Sequence, residues 1–243
     1  MQTGIVHSIE TFGTLDGPGT RYVLFLKGCP LRCIFCHNPD TWKMEGGMEK
    51  TTGEILEDVL RTRNFYKKGG VTISGGEPML QHDFVRELLS LFRENNIHTA
   101  LDTAGSIEIG KSSELIDLAD MLLLDMKAPT SDLFETITGF PMKNSLDTLD
   151  YCERTNKRVW IRHVIVPGYT DSDEDAKALG KLLSDYKCIE YVDLLPFHKL
   201  GEYKWKELGL PYKLYDVSEP DPSIMEKHIE ILGGYGLKAR YNH

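Results

Sequence analysis

Apolar residues along this chain alternate between two rhythms. Short continuous runs of strand length are separated by stretches whose apolar positions recur every three or four residues, and this alternation predicts repeated strand–helix units. The runs are Tyr22 to Lys27 (YVLFLK), Val71 to Ser74, Ile97 to Leu101, Met121 to Asp125 (MLLLD), Arg158 to Val166 and Tyr191 to Leu195, with Gly4 to Ile9 as a short β-like lead. Thr51 and Glu54 read as a capping box opening a helix that carries Ile55, Leu56, Val59 and Leu60 and ends near Tyr66. Phe84, Val85, Leu88, Leu89 and Phe92 share one face of the next helix. Further helical stretches are expected from Ser113 to Ala119 and between Ser131 and Arg154. Asp171 and Glu174 are expected to cap a helix with Ala176, Leu179, Leu182 and Leu183 inward, and Asp221, Pro222 and Gly233 bracket the last one. Thr11 to Arg21, TFGTLDGPGTR, is too rich in Gly and Pro for regular structure and reads as a loop.

Six strands alternating with helices predict an α/β fold, a parallel sheet curled into a partial (β/α)6 TIM-like barrel. Closure needs eight units, so such a barrel keeps a lateral opening, and its chemistry belongs at the carboxyl ends of the strands. No linker or low-complexity segment interrupts the 243 residues, which read as a single domain, 1–243. The apolar fraction of 41% and charged fraction of 27% are those of an ordinary globular protein. A net charge of -9 without a dense Lys/Arg run argues against a nucleic-acid partner. The absence of an 18-residue apolar run or a signal peptide argues against a membrane one, so a cytoplasmic location is expected. The Cys usage fits a reducing compartment: Cys29, Cys33 and Cys36 cluster, while Cys152 and Cys188 stand alone.

The clustered thiols lie in GCPLRCIFCHNPDTW, Gly28 to Trp42, at the carboxyl end of the first strong strand. Three thiolates suit zinc, copper(I) or an iron-sulfur cluster, and a cubane cluster held by three leaves one iron open for a ligand. A zinc site closed by His37 and a set of merely buried thiols are the alternatives. Adjacent Cys36 and His37 suit zinc poorly, because zinc ligands are usually separated by two or more residues. Four other strand ends carry candidates. In Ser74-Gly75-Gly76-Glu77-Pro78 two glycines let backbone amides approach a ligand, or simply make a tight turn. Asp125-Met126-Lys127 offers a carboxylate and an ammonium to an amino-acid-like ligand. Asp102 and Thr103 are oxygen ligands that can join Asp125 around a cation, or caps for the next helix. His198 is either a stacking partner for a base or a polar residue at the rim.

The cysteine spacing, with an aromatic just before the third Cys and with GGEP some forty residues later after a strand, resembles that of the radical S-adenosylmethionine (SAM) enzymes. The series TLDGPGTR, CPLRCIFCHNPDTW, SGGEP, LDTAG, LLLDMK, VWIRHVIVPGYTD and LLPFHKLG is similar, in order and end to end, to their glycyl-radical enzyme activases. The resemblance implies a radical SAM fold and a 4Fe-4S cluster on Cys29, Cys33 and Cys36, with SAM on the fourth iron. It implies that Phe35, Cys36, His37 and His198 line the adenine, and that Gly75, Gly76, Asp125, Met126 and Lys127 hold the methionine moiety with help from Arg162. It further implies a Na+ or K+ site at Asp102, Thr103 and Asp125, a target glycine arriving near Asp16, and catalytic roles for Asp16, His37 and Lys127. The activity so implied is reductive cleavage of SAM followed by removal of a glycine Cα hydrogen from pyruvate formate-lyase (formate acetyltransferase). A flavodoxin or ferredoxin is the implied electron donor, and a monomer is expected.

Overall fold

The computed structural model describes residues 1–66 and 68–241. The chain opens with β1 (Thr3–Gly13), β2 (Arg21–Leu26), β3 (Met48–Thr51), α1 (Thr52–Thr62), β4 (Gly70–Gly75) and α2 (His82–Glu94). It continues through β5 (Thr99–Thr103), α3 (Ile109–Leu118), β6 (Met121–Asp125), α4 (Ser131–Thr138), α5 (Lys143–Thr155) and β7 (Arg158–Ile165). The last elements are α6 (Asp173–Leu183), β8 (Ile189–Pro196), α7 (Glu202–Glu207), α8 (Pro222–Gly234) and β9 (Ala239–Arg240).

Among the described residues these strands form one sheet in the order β3-β1-β2-β4-β5-β6-β7-β8-β9. The six strands expected from the sequence, β2 and β4 to β8, run parallel to one another and are the partial barrel. The lead strand differs from expectation. It extends to Gly13, and both β1 and β3 pair antiparallel, so the sheet is mixed. At the other edge β9 adds a parallel pair to β8. The end strands β3 and β9 do not pair with each other, and the barrel stays open.

Local chemistry explains the helix boundaries. The Thr51–Glu54 capping box forms as expected, the Glu54 amide donating to the Thr51 hydroxyl and the Thr51 amide to the Glu54 carboxylate. For α6 the cap is Ser172 with Asp175, not Asp171 with Glu174; Asp171 instead accepts from the Gly168 amide and shapes the turn before the helix. Gly233 lies within α8, whose N-terminus is capped by Asp221 with Pro222 at the first position.

The sheet buries apolar side chains on both faces. Outward-facing residues such as Leu101, Leu122, Leu124 and Ile161 pack beneath the helices with Phe84, Leu88, Leu149 and Leu179; Leu182 is only half-buried. Inside, Ala100, Met121, Leu123 and Trp160, with Tyr191 against them, fill the amino-terminal half of the barrel. The carboxyl-terminal half is left for other groups. Among the described residues no helix is long and apolar enough to cross a membrane.

Candidate active site

A cavity of about 480 Å3 opens at the carboxyl ends of the parallel strands. Its wall is made by inward-pointing residues: Asp102 on β5, Asp125 on β6, Arg162 on β7 and Asp193 on β8, each two places beyond an apolar plug residue, and Ser74 on β4. Alternation along a strand sends every second side chain inward, so these polar positions share one face with the plug below them.

The cluster loop leaves β2 at Gly28, which has φ 91°. Its course is pinned by backbone bonds from Gly28 N to Thr41 O at 2.7 Å, Cys29 N to Trp42 O at 3.1 Å and Arg32 N to Thr138 O at 2.8 Å, and by the Trp205 indole donating to Cys36 O at 2.8 Å. Cys29, Cys33 and Cys36 all line the cavity. Burial pushes each thiol up, Cys33 to about 12, so without metal they hold their protons. Iron would displace those protons, since a coordinating thiol is deprotonated outright. Among the described residues no three His, Cys, Asp or Glu side chains converge as for a single metal ion.

The glycines of SGGEP serve chiefly the protein itself. A Cβ at Gly75, where φ is 121°, would lie 2.1 Å from Leu26 N, and one at Gly76 would lie 2.2 Å from Gly28 O. The Gly76 amide donates to Leu26 O and the Glu77 amide to Gly28 O, which docks this turn on the cluster loop while both glycines still line the cavity. Glu77 has no signal in the sequence beyond that motif. It is fully buried and accepts from the Thr103 hydroxyl at 2.7 Å, the Ser106 hydroxyl at 3.0 Å and the amides of Met79 and Ala104, joining the β4 and β5 ends.

Charges in the cavity are paired. Arg162 donates to Asp102 at 2.9 Å and lies 3.9 Å from Asp16; Lys127 donates to Asp125 at 2.6 Å. Burial is the largest single influence and lowers both Lys127 and Arg162, but the surrounding acidic groups together outweigh it, Asp125 foremost for the first and Asp102 foremost for the second, so both stay protonated. Burial raises Asp102 against the pull of Arg162. Arg162 keeps its proton in a folded protein and so is the charge that can hold Asp102 ionised. Ser74 donates to the same Asp102 oxygen, leaving Oδ1 buried with no partner. Thr103 lines the cavity, yet its hydroxyl is turned to Glu77.

His37 and His198 face each other with ring centroids 3.9 Å apart, and Nε2–H of His37 donates to the His198 carbonyl at 2.9 Å. Burial pushes His37 down to about 4 and lowers His198, so two neutral rings form an aromatic shelf, with His198 Nδ1 buried and unpartnered. Phe35 completes this side, with the Lys127 ammonium 5.6 Å from its ring centre. Met126 alone of the expected residues falls outside. Its side chain is in the outer core, its amide donates to Arg162 O and its carbonyl accepts from buried His163 at 2.6 Å.

Residues 23–179 match the radical SAM superfamily. The chain is 42% identical over 255 aligned residues to the pyruvate formate-lyase-activating enzyme of Streptococcus mutans, covering 99% of this chain and 96% of that protein. It is 44% identical to the pyruvate formate-lyase-activating enzyme of Clostridium pasteurianum, covering 93% and 96%. A solved domain of pyruvate-formate lyase-activating enzyme from Bacteroides vulgatus superposes with a TM-score of 0.61 at 25% identity, covering 72% of this chain and 99% of that one. With three thiols, paired charges and an aromatic shelf on one cavity at the strand ends, this chain belongs to the pyruvate formate-lyase-activating enzymes of the radical SAM superfamily.

Proposed function

We propose that this chain activates pyruvate formate-lyase by converting one of its glycines to a glycyl radical, at a 4Fe-4S cluster and with SAM. The observation that carries this reading is the opening of all three clustered thiols onto the cavity that also holds Asp16 and Arg162. Cys29, Cys33 and Cys36 would hold three irons. When bound, the cluster and SAM supply the reductive cleavage of SAM and the abstraction of a glycine Cα hydrogen.

The chain's own residues bind and orient. Lys127 and Asp125 present an ammonium and a carboxylate to the charged groups of an amino acid, and Gly76, having no side chain, leaves room on the same cavity wall. The neutral shelf of His37 and His198, with Phe35, offers flat faces to an adenine. Arg162 fixes Asp16 and Asp102, and the apolar plug keeps water from entering through the amino-terminal half of the barrel. The orphaned Asp102 Oδ1, with Asp125 close in charge, suits a Na+ or K+ ion, to which Thr103 would contribute its carbonyl because its hydroxyl is committed to Glu77. Asp16 meets the incoming glycine segment. A flavodoxin or ferredoxin supplies the electron, and the chain works as a monomer and as one domain in the cytoplasm.

The test is anaerobic reconstitution followed by reaction with SAM, a reductant and pyruvate formate-lyase. About four irons per chain are expected, lost in Cys29→Ala, Cys33→Ala and Cys36→Ala and kept in Cys152→Ala and Cys188→Ala. The partner should then show the doublet spin signal of a glycyl radical. Stoichiometric zinc without sulfide would overturn the reading, and a signal on a different glycyl-radical enzyme alone would replace the named partner.

A further inference from the structure

Residues 14–20, between β1 and β2, carry Asp16 but are held in place by groups that take no part in the cavity. Arg21 is fully buried, and none of the ion pairs among the described residues includes it. Its guanidinium instead donates from Nε to the Thr72 hydroxyl at 2.9 Å, from Nη2 to Val71 O at 2.5 Å, and from Nη1 to His98 Nδ1 at 3.1 Å and Pro18 O at 3.4 Å. The Thr72 hydroxyl passes the connection on, donating to the backbone oxygen of Asp16 at 2.6 Å. A buried cation without a carboxylate partner is costly, and here burial lowers Arg21 to about 10. Such a group is retained where its several donors fix something else, and what they fix is the backbone on both sides of Gly17.

The loop is shaped to be clipped. Gly17 and Gly19 have φ 116° and 73°, a Cβ at Gly19 would lie 2.0 Å from Lys68 O, and one at Gly69 would lie 1.8 Å from Thr20 O. Backbone therefore packs on backbone at the base of the loop, while the Asp16 carboxylate projects toward Arg162. Neither Arg21 nor Thr72 lines the cavity.

We propose that Arg21 and Thr72 are positioning residues for the protein substrate: they clip the Asp16 backbone so that its carboxylate is already oriented when the glycine-bearing segment enters. The proposal rests on the reading above that Asp16 meets that segment. It separates two affinities, because the clip acts on the substrate loop and not on the groups that face SAM.

Thr72→Val removes the hydroxyl at nearly constant volume, and Thr72→Ser restores it. In the reconstituted full chain, Thr72→Val should raise KM for pyruvate formate-lyase about tenfold, the scale of one buried hydrogen bond, with SAM affinity by calorimetry unchanged. Thr72→Ser should return KM to the native value. Amide hydrogen exchange over residues 14–20 should quicken about tenfold in Thr72→Val and Arg21→Lys but not in Thr72→Ser. Unchanged exchange overturns the clip whatever the partner. Faster exchange with unchanged KM, or a fall in SAM affinity equal to the rise in KM, overturns its role in substrate recognition. A native chain that forms no glycyl radical would instead refute the function on which the proposal rests, and exchange would still decide whether the clip exists.

Discussion

The two halves of the barrel interior are built from the same six strands by opposite rules. The amino-terminal half is closed by Ala100, Met121, Leu123 and Trp160, with Tyr191 edge-on to Trp160 at 5.5 Å. The Arg240 guanidinium from β9 lies 4.4 Å and 4.5 Å from the Trp160 and Tyr191 ring centres and is paired with Asp193. The carboxyl-terminal half leaves a cavity, orphans Asp102 Oδ1 and His198 Nδ1, and lines the space with Lys127, Arg162 and three thiols. Polar satisfaction is nearly complete where nothing binds and incomplete where something must. The contrast predicts that changes in the first half lower stability and spare binding, and that changes in the second do the reverse.

Trp160→Ala tests the closed half. Loss of a buried Trp leaves a cavity and costs about 3–5 kcal/mol; here it also removes the indole bond to Glu190 at 2.9 Å. Urea unfolding should show that loss, while iron content stays native. A Trp160→Ala protein of native stability would show that the plug is not what holds the barrel.

Buried His163 ties β7 to the carboxyl end of β6 through its bond to the Met126 carbonyl. Burial pushes it down to about 4. Between that value and its ordinary one near 6.5 the unfolded chain binds a proton that the folded chain refuses. The stabilising effect is therefore complete above pH 6.5 and is lost as pH falls toward 4, by about 3 kcal/mol. His37, also near 4, acts with the same sign. His163→Asn keeps a donor for Met126 but cannot titrate, so stability measured from pH 7 to pH 4.5 should fall less steeply in that variant. Parallel curves for the two proteins would contradict the assignment.

The smallest effect belongs to the open half. Lys127→Ala and Asp125→Asn each remove a charged contact of about 1.5–3 kcal/mol, a ten- to hundredfold loss of SAM affinity by calorimetry, with the melting temperature little changed. Unchanged SAM binding in both would place the ligand elsewhere in the cavity.

Much of this was legible in the residues. The six apolar runs are the six parallel strands, and MLLLD is β6 residue for residue, because a strand buried on both faces leaves a continuous apolar signal. By contrast β3, MEKT, is a short exposed edge, and β9 is two residues whose pairing depends on β8 being in place; neither has a pattern of its own. The cysteines, Asp125 and Lys127 stood out because strand-end charges and clustered thiols are rare in a core, whereas Arg162 entered only through the family resemblance. Glu77, Arg21 and Thr72 did not, since their main side-chain partners lie 26 to 77 residues away in sequence and only the fold brings them together. A signal did exist for Asp193 and Arg162: each is a charge at an inward position of an otherwise apolar strand.

The cluster thiols all come from eight consecutive residues, whereas the groups facing them come from five later strands. An unfolded chain consequently keeps its chelating triad while losing every other wall of the cavity. Iron can then bind both states, and by mass action its stabilisation of the native state is only the difference between the two affinities. SAM, whose proposed site draws on residues of β4, β6, β7 and β8, should shift the thermal transition by more than its affinity relative to iron would suggest.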